Sequence, residues 1–254
     1  MLGLGLNIVM FHRLKILIMN RLVKWLSCFL LLILTLFSLD VSSQDTLSDN
    51  YDHQLFVGNK LAWSKGSWHY SGELQFRLKD DTRSFNMYYL EGIASYLANE
   101  KWEIVPDMRF SVMSDRLEYR PGLGIIYKNL WLNNRVNQLV HQLKWQTDIE
   151  STGIVKNAVR YVAFYNVVMN DKLLLQVAGG GLYRWSEAHT GFQFFRALVG
   201  GSYSFTKKTR LNFSYFVGYE NRISNWSFIG GPVLQFVINM DKDSKYVPAK
   251  YFNF

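Results

Sequence analysis

Alternation with a period of two residues restricts the fold of this chain more than any other feature. Between Trp68 and Lys79, one parity holds Trp68, Tyr70, Gly72, Leu74, Phe76 and Leu78. The other parity holds His69, Ser71, Glu73, Gln75, Arg77 and Lys79. Successive side chains of a strand point to opposite sides, so this stretch forms an extended segment with one apolar and one hydrophilic face. One such strand would also suit a soluble sandwich. About ten further segments of related character follow it, with no sustained helical spacing of apolar residues after Gln44.

The pattern predicts strands over Gln54–Trp63, Trp68–Lys79, Phe85–Ala98, Trp102–Met113, Leu117–Lys128 and Val136–Ile149. It continues through Lys156–Met169, Leu173–Trp185, Phe192–Phe205, Arg210–Arg222, Trp226–Asn239 and Lys245–Phe254. Each reaches the ~9–11 residues that cross a bilayer at a tilt. Parity is ambiguous in Phe85–Ala98, where Tyr88 and Tyr89 are adjacent. Turn residues at Ser64-Lys65-Gly66, Asn99-Glu100-Lys101, Asn170-Asp171 and Thr206-Lys207-Lys208 separate strands. These short turns follow odd-numbered strands and charged loops follow even-numbered ones. Twelve strands would return both termini to the rim opposite the short turns, whereas barrels of this kind usually keep termini and short turns together.

Composition agrees with many half-apolar strands: 49% of residues are hydrophobic, 16% are aromatic, and mean hydropathy is −0.04. The one long apolar run is Trp25–Phe37, preceded by Arg21 and Lys24 and followed by small residues at Val41-Ser42-Ser43. It reads as a secretory signal peptide over residues 1–43 with cleavage between Ser43 and Gln44, leaving a single domain over 44–254. Met19 would give a more ordinary signal length, making Met1–Ile18 an upstream extension. Cleavage removes Cys28, the only cysteine, which excludes disulfides, a thiol nucleophile and cysteine-ligated metal. It also removes Arg13, Lys15, Arg21, Lys24 and Asp40, so the net charge of +8 falls to +5. No basic run points to nucleic acid.

Only helices and closed barrels cross hydrocarbon, because every backbone polar group needs a partner there. An outer-membrane barrel turns its apolar face to lipid, rings both interfaces with aromatics and keeps a polar interior. Trp63, Trp68, Trp102, Tyr127, Trp145, Trp185, Tyr219 and Trp226 lie near strand ends and are girdle candidates. Glu73, Arg77, Glu103, Asp107, Arg109, Glu118, Arg120, Lys144, Asp148, Arg210 and Glu220 are lumen candidates. They are too many charges for a dry core to hold unpaired. The chain therefore predicts an all-β, closed, antiparallel up-and-down transmembrane barrel of about twelve strands (~10–14). Its partners are outer-membrane lipid and, through Phe252 and Phe254, the barrel-insertion machinery.

Gln54-Leu55, Lys65-Gly66-Ser67-Trp68, Glu73-Leu74-Gln75-Phe76-Arg77, Leu90-Glu91-Gly92, Tyr96-Leu97 and Lys101-Trp102 recur in an order that resembles an uncharacterised family of secreted bacterial proteins. Asn137–Leu143 is similar to that family's middle strand. The family is a domain of unknown function presumed to form outer-membrane β-barrels, so the resemblance implies fold and place and no activity.

No catalytic, metal or cofactor site stands out. His69 and Ser71 share a face, as in outer-membrane lipid hydrolases, but Gly72-Glu73 follows where those enzymes carry Asn and a small residue. His53, His141 and His189 lack metal-ligand spacing. Gly179-Gly180-Gly181 and Gly200-Gly201 lack the Lys-Ser/Thr of a phosphate loop and fit sites of close strand packing. The expected role is a structural or narrow-pore transport barrel. The alternatives are a lipid-modifying hydrolase using His69 and Ser71, or a periplasmic lipocalin-like carrier.

Overall fold

In a computed structural model of the chain, the described residues are 51–129, 137–186, 190–222, 225–245 and 248–249. The expected signal peptide with its Ser43/Gln44 cleavage point, His189 and most of the expected strand at Lys245–Phe254 lie outside them. Twelve strands form one sheet: β1 (Tyr51–His53), β2 (Leu55–Gly66), β3 (Trp68–Lys79), β4 (Ser84–Leu97), β5 (Trp102–Met113) and β6 (Leu117–Asn129) come first. They are followed by β7 (Asn137–Glu150), β8 (Val155–Val168), β9 (Leu173–Trp185), β10 (Thr190–Ser204), β11 (Thr209–Arg222) and β12 (Asn225–Ser244). Each strand from β2 to β12 pairs with the next, and β12 returns to β2, closing a barrel.

Closure differs from expectation in one respect. Eleven strands, β2 to β12, form the wall, and an odd count forces the seam between β12 and β2 to be parallel. The twelfth strand is the short β1, which also runs parallel to β12. Lys245, Pro248 and Ala249 lie outside any strand, and the wall closes through β12 and β2. The odd count also resolves the turn pattern. The near rim carries the β2–β3, β4–β5, β8–β9 and β10–β11 turns together with the end of β12, whereas the chain enters the wall at the far rim.

Proline shapes the hydrogen-bond ladder. Pro106 on β5 pairs with Leu123 of β6, but on its β4 side Ala94 and Ser95 have no partners in β5. Pro121 pairs with Met108 of β5, while pairing with β7 lapses between Tyr119 and Gly122. Pro232 pairs with Tyr215 of β11 and faces the break between β1 and β2. Each missing N–H thus falls where a rung is absent. Across the last gap, the Gln54 N–H donates to the Gly230 carbonyl at 2.8 Å.

The wall is apolar outside. Leu90, Met108, Leu123, Ile125 and Leu143 are exposed near mid-strand, Leu90 by 58% and Leu123 by 56%. Two aromatic belts flank this band. Near the short-turn rim, Trp63 stacks on Tyr70 (5.4 Å), and Trp68 with Tyr96 (5.0 Å) and Trp102 with Tyr127 (4.7 Å) make tilted contacts. At the far rim, Trp145 meets Trp185 edge-on (5.3 Å), Phe195 stacks on Trp226 (5.9 Å) and Tyr219 meets Phe228 (5.1 Å). A closed ladder with an apolar band between aromatic belts is the arrangement that a bilayer selects. Among the described residues no helix is long and apolar enough to cross a membrane.

Candidate functional site: the charged interior

Register places opposite and like charges side by side on the inner face. Along one row, Lys60 of β2 faces Glu73 of β3, which faces Glu91 of β4, then Arg109 of β5 and Arg120 of β6. Arg120 reaches Asp148 of β7 (3.9 Å), which faces Lys156 of β8. Two neighbouring pairs in this row carry like charge, Glu73 with Glu91 and Arg109 with Arg120, and such pairs destabilise a sheet on their own. Other partners offset them. Glu73 accepts from the Tyr89 hydroxyl at 3.1 Å and lies 4.0 Å from Lys60. Glu91, 1% exposed, binds Arg109 at 3.0 Å and lies 3.8 Å from Lys144. Asp148 takes Arg184 at 2.6 Å.

A second ion pair crosses a whole strand. Lys144 of β7 donates to Asp107 of β5 at 2.6 Å, passing over β6. Gly122 makes that possible: a Cβ there would sit 2.6 Å from Lys144 Cε and 2.8 Å from Asp107 Oδ1. At the near rim Lys128 binds Glu103 at 2.9 Å. The same carboxylate oxygen accepts the Ala249 N–H at 2.6 Å, and Ala249 packs on the interior apolar cluster. Ala249 therefore lies on the inner side of the wall.

Arginines also stack on rings. Arg77 lies 4.2 Å from the centre of Phe56 and 5.2 Å from that of Tyr89, and Arg109 lies 3.7 Å from the Tyr89 centre. Arg196 lies over Phe194 at 4.4 Å and 3.5 Å from Glu220. Desolvated stacks of this kind contribute about 2 kcal/mol each. Arg77 donates to Gln75 at 2.7 Å and Arg160 to Gln142 at 3.4 Å, and among the described residues neither has a carboxylate within 4.0 Å. Among these residues the interior thus holds positive charge that carboxylates do not match locally.

All eleven lumen candidates lie on the inner face, Glu118 beside Glu150 and Arg210 at the near rim, and the eight girdle candidates lie on the outer face. Sequence reasoning missed Lys60, Glu91, Lys128, Glu150 and Lys156. A register shift opposite Arg77 and Leu78 explains Glu91: it changes parity between Phe85 and Met87, so counting from Phe85 misassigns the rest of β4. Also missed was the apolar share of the interior, where Phe56, Val162, Phe164, Leu198, Phe216, Ile229 and Val233 form a cluster.

His69 and Ser71 both face inward, away from lipid. His69 pairs through Nδ1 with Ser64 Oγ at 2.8 Å and has no bond to Ser71. His141 lies on the outer face and bonds to the Tyr161 hydroxyl at 2.7 Å. Among the described residues no group of His, Cys, Asp and Glu is placed to hold a metal. The Gly179–Gly181 run is a packing device: a Cβ on Gly180 would lie 2.8 Å from Val162 Cα, and one on Gly181 3.0 Å from the Phe195 ring.

No protein-family model matches the chain, and no curated protein matches it. Among solved structures the chain is similar to three porins. With the NanC porin it shares 12% identity over 67% of this chain and 88% of that one, at a TM-score of 0.45. With the KdgM porin it shares 14% identity over 73% and 95%, at 0.44. With an anion-selective porin from Comamonas acidovorans it shares 13% over 69% and 52%, at 0.37.

Proposed function

We propose that the protein is an outer-membrane β-barrel with a narrow interior that passes small anions, and that its resemblance to the uncharacterised family reflects membership of it. The observation that carries this reading is the closed wall, apolar outside, around a charged interior in which, among the described residues, Arg77 and Arg160 have no carboxylate partner. A pore lined by surplus cations favours anions. The close packing of the row, with Glu91, Asp148 and Gln146 almost fully buried, keeps the path far narrower than the aqueous channel of 16–18-stranded porins.

Planar-bilayer recording with purified protein tests this. We expect a small unit conductance and a reversal potential that favours chloride over potassium, with the preference weakened by Arg77→Gln. Cation preference, or an anion preference that Arg77→Gln leaves intact, overturns the pore reading. The buried interior also supports a second reading, a closed barrel with a structural role, and absence of any current selects it. The hydrolase reading lacks support from geometry, since His69 is turned to Ser64 and both groups face the interior. Phospholipid hydrolysis lost in Ser71→Ala would restore it.

A further inference from the structure

At the near rim the interior opens into a recess between the β8–β9 and β10–β11 turns. Its inner part has a volume of about 110 Å³, and an outer part of about 460 Å³ shares Asp171, Lys172, Ser204 and Arg210 with it. Since about 10–15 Å³ on this scale holds one water, the inner part alone takes a ligand of several atoms. The floor is fixed by a chain of side chains. Ser202 donates to Asn212 at 2.7 Å and Asn212 donates to Gln235 at 2.8 Å, while Gln176 donates to Asn166 at 2.5 Å.

Arg210 lines both parts. Its Nε is buried without a hydrogen-bond partner, and among the described residues no carboxylate lies within 4.0 Å of the guanidinium. Buried donors of this kind are almost always satisfied, and leaving a charged one bare is costly. Lys172 and Lys207 stand at the mouth and, among the described residues that line it, the exposed Asp171 is the one acid. Leu174 supplies an apolar wall.

We propose that this recess binds a small anionic solute through its carboxylate or phosphate group, with Arg210 as the principal ligand and Lys172 and Lys207 drawing the anion in. A planar guanidinium suits both groups, because it donates in parallel to two oxygens. The proposal deepens the pore reading by naming the group that the pore recognises at one mouth.

Calorimetric titration of the folded, detergent-solubilised full-length protein with inorganic phosphate, and separately with propionate, tests the site and distinguishes the two sources. Binding by wild type is expected for at least one probe, reduced at least tenfold in Arg210→Gln and retained in part in Arg210→Lys. Absence of binding of either probe at tens of millimolar, or equal binding by Arg210→Gln, overturns the proposal. If Arg210→Gln does not fold, phenylglyoxal labelling of wild type replaces it. The probe that binds should slow modification of Arg210 about fivefold and leave exposed Arg83, at the far rim, unchanged; equal slowing or none at both arginines overturns the proposal. Binding without bilayer current keeps the site and removes the pore, whereas current without binding does the reverse.

Discussion

Replacing Gly122 with alanine isolates the ion pair that spans β6. The added Cβ would sit 2.6 Å from Lys144 Cε and 2.8 and 2.9 Å from the two Asp107 oxygens, all closer than packed atoms tolerate. Lys144 can swing away, because Glu91 already lies 3.8 Å from its ammonium. Asp107 then stays behind as a buried carboxylate without its cation. Breaking a buried pair outright costs about 3–5 kcal/mol. Retention of the Glu91 contact reduces this, so we expect a loss of about 2–4 kcal/mol, including the strain of overpacking.

Gly124→Ala is the internal control, on the same strand and the same face. Its nearest contact would be the Leu143 carbonyl at 3.5 Å, an ordinary separation. Gly-to-Ala changes without strain gain about 0.4–1 kcal/mol through the unfolded chain, so this variant should stay within about 1 kcal/mol of wild type. Urea unfolding in lipid vesicles, followed by tryptophan fluorescence and by gel mobility of unheated samples, measures both. Equal stabilities for the two variants would refute the reasoning. So would a double mutant Gly122→Ala/Asp107→Asn whose cost is the sum of the single changes, because the pair can be lost only once.

Leu123→Arg puts a cation in the middle of the outer apolar band and should destabilise the barrel in vesicles by about 2–4 kcal/mol. A change below ~0.5 kcal/mol, typical of an exposed site in a water-soluble protein, would refute the lipid-facing assignment. The β3–β4 loop holds Asp80, Asp81 and Thr82 at φ of 52°, 57° and 64°, docked by the Thr82 N–H on the His53 carbonyl at 3.1 Å. Left-handed backbone costs a non-glycine residue about 1–2 kcal/mol, so Thr82→Gly should stabilise by about 1 kcal/mol in the same urea assay, and a loss of stability would contradict this account.

The wall was legible wherever the two faces of a strand differ. Trp68–Lys79, Trp102–Met113 and Leu173–Trp185 have the same limits in sequence and structure, because turn residues bound them. Reading failed where local pattern is not what decides. In β8 and β10–β12 both faces carry apolar residues, as at Val162 and Phe164 inside and Tyr161 and Tyr165 outside, so alternation could not reveal the interior cluster. The row from Lys60 to Lys156 exists only through register across seven strands. The Arg210 recess depends on two turns remote in sequence. Lys245–Phe254 read as a strand because its aromatics alternate, yet Ala249 turns inward to Glu103.

The interior is unevenly divided between charge and apolar packing. From β3 to β8 every neighbour is antiparallel, and this arc carries Glu73, Glu91, Arg109, Arg120, Lys144, Asp148 and Arg160. Buried ion pairs are a weak source of net stability, since desolvation offsets most of their attraction. The arc therefore relies on its antiparallel ladder. At the β12–β2 seam the pairing is parallel, slightly weaker per residue, and interrupted opposite Pro232. There the inner side chains include Phe56, Phe216, Ile229 and Val233, with Phe56 stacked on Phe216 at 4.9 Å across β12. Aromatic contact of this kind contributes about 0.5–1.5 kcal/mol beyond the area it buries. Packing thus holds the seam where hydrogen bonding is thinnest, and it leaves the charged arc free to line whatever path the interior provides.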